Sequence, residues 1–253
     1  YGEGSIVYDG VRLASYACGS ELRGSKGNSM CGIGTFCHEF AHVLGLPDFY
    51  DTDGEDNGSA STLAAFSLMD GGCYNNDGRT PPSLNGIERF LLGWMDEPAE
   101  WGAGTHTLDA IRNNAAARIP AGNEGEFYLL EVRDGRDWDS KIFYSYTDGS
   151  PVSNCAEGLV VYHVDRSGNL VGEATAASLW KRGLGINSQG DHPCFTLVPA
   201  DSDYQWALDK VPYPGASRVR SLGRLDSWNG AESGYSLGGI SYSSGKVTLT
   251  VTK

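Results

Sequence analysis

The stretch HEFAHVLGLPDFYD, beginning at His38, constrains this chain more than any other. His38 and His42 are four positions apart, so on a helix they leave the same face, one turn above the other. Two imidazoles at that spacing suit Zn²⁺, at ligand distances of about 2.0–2.1 Å, and Glu39 is then carried beside the open position. Ile33, Phe36, Cys37, Phe40, Ala41 and Leu44 recur at three- and four-residue spacing, which predicts a helix from about Ile33 with one apolar stripe. Gly45 ends that helix as a C′ residue and Pro47 prevents its continuation. The chain can therefore turn back and deliver Asp48, whose carboxylate is an acceptable third zinc ligand. Asp51 is another carboxylate nearby. Histidines that merely hydrogen-bond inside a buried helix are the bland alternative. They would not require a glycine break followed by an acidic residue.

The spacing matches the extended zincin motif HExxHxxGxxH, with a carboxylate in the third place. Glu39 would act there as general base on the water that zinc activates, whose pKa falls to about 7. Downstream, SLMDGG sets Met69 in a turn, where zincins of the extended type keep a methionine beneath the metal. Tyr74 lies a little further on, as a candidate oxyanion donor, pocket wall or simple packing residue. The pocket that sets side-chain preference is expected after Met69, between about Gly71 and Pro82, and the run Val11 to Tyr16 is a candidate edge for an extended peptide.

HEFAHVLGLPDFYD, then SLMDGG, then TPPSLNGIERFLLGW, in that order, resembles the immune inhibitor A family of secreted bacterial metallopeptidases. These are metzincin-like zinc endopeptidases with the motif HExxHxxGxPDxYD. EFYLLEVRDGRDWD from Glu126, GLVVYHVD from Gly158 and WNGAESGYSLGGI from Trp228 fit the same family, so the resemblance runs from about Cys18 to the C-terminus. It implies His38, His42 and Asp48 as zinc ligands, Glu39 as general base and Met69 as the turn methionine. It also implies a protein secreted or held at a bacterial cell surface, and family members bind calcium. In the loop DTDGEDNG, Asp51, Asp53 and Asp56 are candidate calcium ligands around Gly54. No bidentate Glu stands at the EF-hand position, and a solvated acidic loop is the competing explanation.

Composition narrows the remaining classes. A formal charge of −13 argues against nucleic acid, whose phosphates need a basic surface. No apolar run is long enough to span a bilayer, and YGEGSIVYDG has neither the basic start nor the apolar stretch of a signal peptide. Six cysteines, none in a CxxC pair, argue against a thiolate zinc knuckle and leave disulfides or buried thiols open.

A second helix is expected after Pro81-Pro82, with Ser83 as N-cap and Leu84, Ile87, Phe90 and Leu91 inward, ending at Gly93. Strand-like runs follow at Glu126, Gly158, Cys194 and Lys246, the last strictly alternating. Glu131, Arg133, His163 and Asp165 lie on these runs and read as a buried, paired polar cluster. The expected class is α+β: residues 1–100 as the C-terminal part of a metzincin-like zinc protease domain, residues 101–253 as an antiparallel, sandwich-like β-rich domain. The segment ahead of His38 can supply an edge strand and a loop, but not a central sheet to back the helix. A second chain carrying the upstream part of the catalytic domain is therefore an expected partner, beside a peptide or protein substrate. The expected function is a zinc-dependent endopeptidase. Its rivals are a calcium-stabilised surface binding module with an inactive metal site, and a zinc hydrolase of non-peptide substrates.

Overall fold

The computed structural model describes residues 6–12, 15–24, 26–54, 56–142, 157–204 and 207–253. Few helices accompany many antiparallel strands, an architecture compatible with α+β. The central sheet has five strands in the order Phe195–Leu197, Glu157–Asp165, Glu126–Asp134, Ala116–Pro120 and Ala99–Glu100, antiparallel except for the last pair.

Its two long strands bury side chains on both faces, because alternate residues enter different cores. Phe127, Leu129, Val160, Tyr162 and Val164 join one core with Ala41, Leu46, Phe49, Phe66 and Met69. Leu130, Val132, Leu159 and Val161 turn the other way, onto Leu237, Val247, Leu249 and Val251. The latter residues belong to a three-stranded sheet of Ser236–Ser243, Lys246–Thr252 and Gly104–Asp109. Lys246–Thr252 alternates exposed and buried at every residue, as a strand with one wet face must. The first core thus draws on sequence from both sides of residue 100.

Helix α1 spans Ile33–Leu44. Its first turn lies directly on the turn Gly71–Tyr74: a Cβ at Gly34 would stand 1.9 Å from the Cys73 carbonyl oxygen, so only glycine permits the approach. The apolar stripe is split. Ala41 is buried and Cys37 packs against the core, whereas Ile33 (47% exposed), Phe36 (53%), Phe40 (46%) and Leu44 (45%) face outward.

Helix α2 spans Gly86–Leu91, and its N-cap is Asn85, not Ser83. Ser83 is committed elsewhere: its N–H donates to Asp139 Oδ1 and its carbonyl accepts from Arg133 Nη1. Asn85 instead accepts from the Ile87 and Glu88 N–H groups, while Glu88 accepts from the Asn85 N–H, a complete capping box. Ile87 is buried as expected, but Leu91 is 38% exposed.

Ahead of α1, Val11–Arg12 pairs with Val7–Tyr8 and Leu22–Arg23 with Ser29–Met30, two short hairpins. Residues 13 and 14 of the expected peptide edge, and Cys155, lie outside the described residues. Cys18, Cys31, Cys37, Cys73 and Cys194 are free thiols. Among the described residues no helix is long and apolar enough to cross a membrane.

Candidate metal centre

The C-terminus of α1 sets the geometry of the site. Gly45 takes a left-handed φ of 108°, which lets its N–H reach the His42 carbonyl and the Leu46 N–H reach the Ala41 carbonyl. The same turn presents the Leu46 carbonyl to His42 Nδ1, at 2.8 Å. His38 Nδ1 meets the Leu68 carbonyl at 2.9 Å. A carbonyl accepts only, so both imidazoles carry their proton on Nδ1 and turn bare Nε2 atoms toward one another's space.

Asp48 completes the set. Its Oδ1 lies 3.2 Å from His38 Nε2 and 3.2 Å from His42 Nε2. The three ligand atoms lie within 4.8 Å of one another, and no other such group of three occurs among the described residues. Two unprotonated ring nitrogens facing a carboxylate oxygen repel it, and Asp48 Oδ1 is a buried atom without a hydrogen-bond donor. A cation bound by all three removes both penalties. The donor set, two imidazoles and a carboxylate, suits a divalent metal ion. A proton is drawn to the same place. Burial opposes an imidazolium at His38, yet Asp48 and the Leu68 carbonyl outweigh it and raise the pKa. At Asp48 burial is outweighed by His38, His42 and a hydrogen bond from Tyr50, so its pKa is lowered.

A cleft of about 620 Å³ opens beside these groups, lined by Thr35, Glu39, Ala64, Gly71, Tyr74 and Tyr204 among others. Glu39 and Tyr74 are therefore brought to the same cavity as His38. Cys73 also lines it, and burial pushes its thiol up to about 12. Met69 is fully buried in the turn that supplies the Leu68 carbonyl, and its own carbonyl accepts the Phe49 N–H at 2.9 Å. Asp51 takes no part in the ligand cluster; its Oδ2 accepts the Ala60 N–H. Asp53 accepts from Asn57 Nδ2, and Asp51, Asp53 and Asp56 do not gather into a comparable cluster among the described residues.

Further residues support the site. Tyr50 stacks on His38 at 6.4 Å between centroids. Tyr204 reaches the cleft from far downstream. Glu88 is fully buried, with its pKa raised to about 6 by burial. Its spacing from Asn85 is the capping-box signature that could have identified it. Arg133, also fully buried, pairs with Glu131 and Asp139 and donates from Nη2 to the Phe66 carbonyl at 3.1 Å. Glu131 in turn accepts from the Gly86 N–H at 2.9 Å and the Tyr162 hydroxyl at 2.6 Å. The central sheet thereby grips both the start of α2 and the turn beneath the ligands.

Residues 27–91 match the family model described as the immune inhibitor A peptidase M6 catalytic domain. The matched segment holds α1, Asp48, the Ser67–Asp70 turn and α2, so the resemblance legible in HEFAHVLGLPDFYD is shown there. No curated protein matches the chain.

Proposed function

With a peptidase M6 segment at residues 27–91 as premise, we propose that this chain is the metal-bearing part of a metzincin-like, zinc-dependent endopeptidase. The observation that carries the proposal is the approach of two Nδ1-protonated imidazoles to one unpartnered Asp48 oxygen, each at 3.2 Å. Bound by His38 Nε2, His42 Nε2 and Asp48, zinc would supply Lewis acidity, polarising a scissile carbonyl and acidifying water.

The chain's own groups do the rest. The Leu68 and Leu46 carbonyls hold the imidazoles in the tautomer that can ligate. Glu39, at the cleft wall, takes a proton from the attacking water and passes it to the leaving amide nitrogen as the C–N bond breaks. Tyr74 borders the same space and is placed to wall the pocket or to donate to the developing oxyanion. Met69 packs as the turn methionine. Residues 1–100 carry the chemistry in this proposal, and residues 101–253 form the β-rich part that braces it. Secretion, or display at a bacterial surface, goes with the family.

The partner expectation extends to α1. Ile33, Phe36, Phe40 and Leu44 form an exposed apolar face, which supports a second chain carrying the upstream part of the catalytic domain as its cover.

The decisive variant is Glu39→Ala. It should keep one zinc per chain and lose about 10²–10⁴-fold in casein cleavage, the usual worth of a general base. Cleavage at the parent rate would refute the mechanism.

A further inference from the structure

We propose that Glu88 is a positioning residue of the metal centre, acting through the Ser67–Asp70 turn. The proposal rests on the zinc reading of His38, His42 and Asp48 given above. Burying a carboxylate completely is costly, so its oxygens need donors. The two oxygens have different partners. Oε2 accepts the Asn85 N–H at 2.8 Å and so closes the cap of α2. Oε1 faces away from that cap. It accepts the Ser67 hydroxyl at 2.5 Å and the Met69 N–H at 3.3 Å, and Ser67 Oγ itself accepts the Met69 N–H at 3.0 Å.

Ser67 and Met69 flank Leu68. One carboxylate oxygen therefore pins the turn on both sides of the carbonyl that meets His38 Nδ1 at 2.9 Å. Met69, held by the same oxygen, offers its carbonyl to the N–H of Phe49, the residue after Asp48. Orientation of the first ligand and of the segment bearing the third thus converges on Glu88. Arg133 secures the residue before the turn through the Phe66 carbonyl, so the anchor extends into the central sheet. A carboxylate that only capped α2 would need Oε2 alone.

The two roles can be separated by mutation in the 253-residue chain. Ser67→Ala removes the short bond to Oε1 and leaves the cap of α2 intact. Asn85→Ala removes the acceptor for the Ile87 and Glu88 N–H groups and leaves the turn intact. Zinc affinity, measured by chelator competition, and the thermal midpoint of the apo-protein are compared for both variants and for Glu88→Ala. Ser67→Ala and Glu88→Ala should weaken zinc binding by about 10-fold or more, the scale of losses around ligating histidines. Asn85→Ala should lower the midpoint while leaving zinc affinity within about twofold. If Ser67→Ala binds zinc like the parent, or if Asn85→Ala weakens zinc as much at equal loss of midpoint, the positioning role is wrong. If Glu88→Ala does not fold, Ser67→Ala decides alone. A parent chain that binds no zinc overturns the metal centre and this proposal together.

Discussion

Two groups of histidines and carboxylates stand in this molecule, and they are finished differently. His163 Nε2 meets Glu126 Oε1 at 2.8 Å and His192 Nε2 meets Asp165 Oδ2 at 2.8 Å, one imidazole to one carboxylate. The spare capacity of those carboxylates is filled: Glu126 also accepts from the Trp228 N–H and Asn123, and Asp165 from the Ser167 N–H. Trp228 lies between the two rings, 5.0 Å from each centroid. At the other site two ring nitrogens share one oxygen of Asp48, and that oxygen has no donor. Residue types are the same, so composition does not distinguish them. The difference lies in whether the hydrogen-bond account closes. At Asp48 the open account is a carboxylate oxygen facing two imidazole nitrogens, the one such arrangement among the described residues whose donor set suits a cation.

The largest expected break in that comparison is His42→Ala. It should abolish zinc binding and all chelator-sensitive peptide cleavage, whereas His163→Ala should leave zinc content at the parent level. Metal analysis of the two purified variants is the check, and loss of zinc from both would erase the distinction.

Next in size is Arg133→Met, which leaves Glu131 and Asp139 buried without their cation. It should cost about 3–5 kcal/mol in urea unfolding, the penalty for breaking a buried pair. An unchanged midpoint would mean the central sheet does not brace the metal-site turn.

Glu126→Gln should cost less, about 1–3 kcal/mol, by leaving His163 with an imperfect partner. Zinc affinity should not move.

The smallest effect concerns pH. Burial penalises the Asp165 carboxylate, but His192 and Ser167 outweigh it and hold the pKa below the ordinary value. A depressed folded-state pKa contributes stability that is present above the unfolded value, about 3.9, and fades as pH falls through the folded one. His192→Ala should therefore lower stability at pH 6 and lose less than the parent on acidification below about 4. Parallel urea curves for the two proteins across that range would contradict the pairing.

What the sequence revealed follows from what a motif can encode. His38, Glu39, His42, Gly45 and Asp48 were legible because helix periodicity and a glycine stop convert spacing directly into geometry. The bounds of α1 and the alternation of Lys246–Thr252 were legible for the same reason. The Leu68 and Leu46 carbonyls were not, since backbone acceptors carry no residue-type signature. Capping propensity favours Ser83 and Asn85 alike, and only the distant Asp139 and Arg133 decide between them. The outward turn of Phe36 and Phe40 was equally hidden: periodicity locates an apolar face but not what covers it.

The most direct test of the central claim is zinc stoichiometry by elemental mass spectrometry on the parent, His38→Ala and Asp48→Ala proteins, each purified with zinc and exhaustively dialysed. One zinc per chain in the parent, and none in either variant, is the predicted result. A parent without zinc, or a full equivalent retained by His38→Ala, would contradict it.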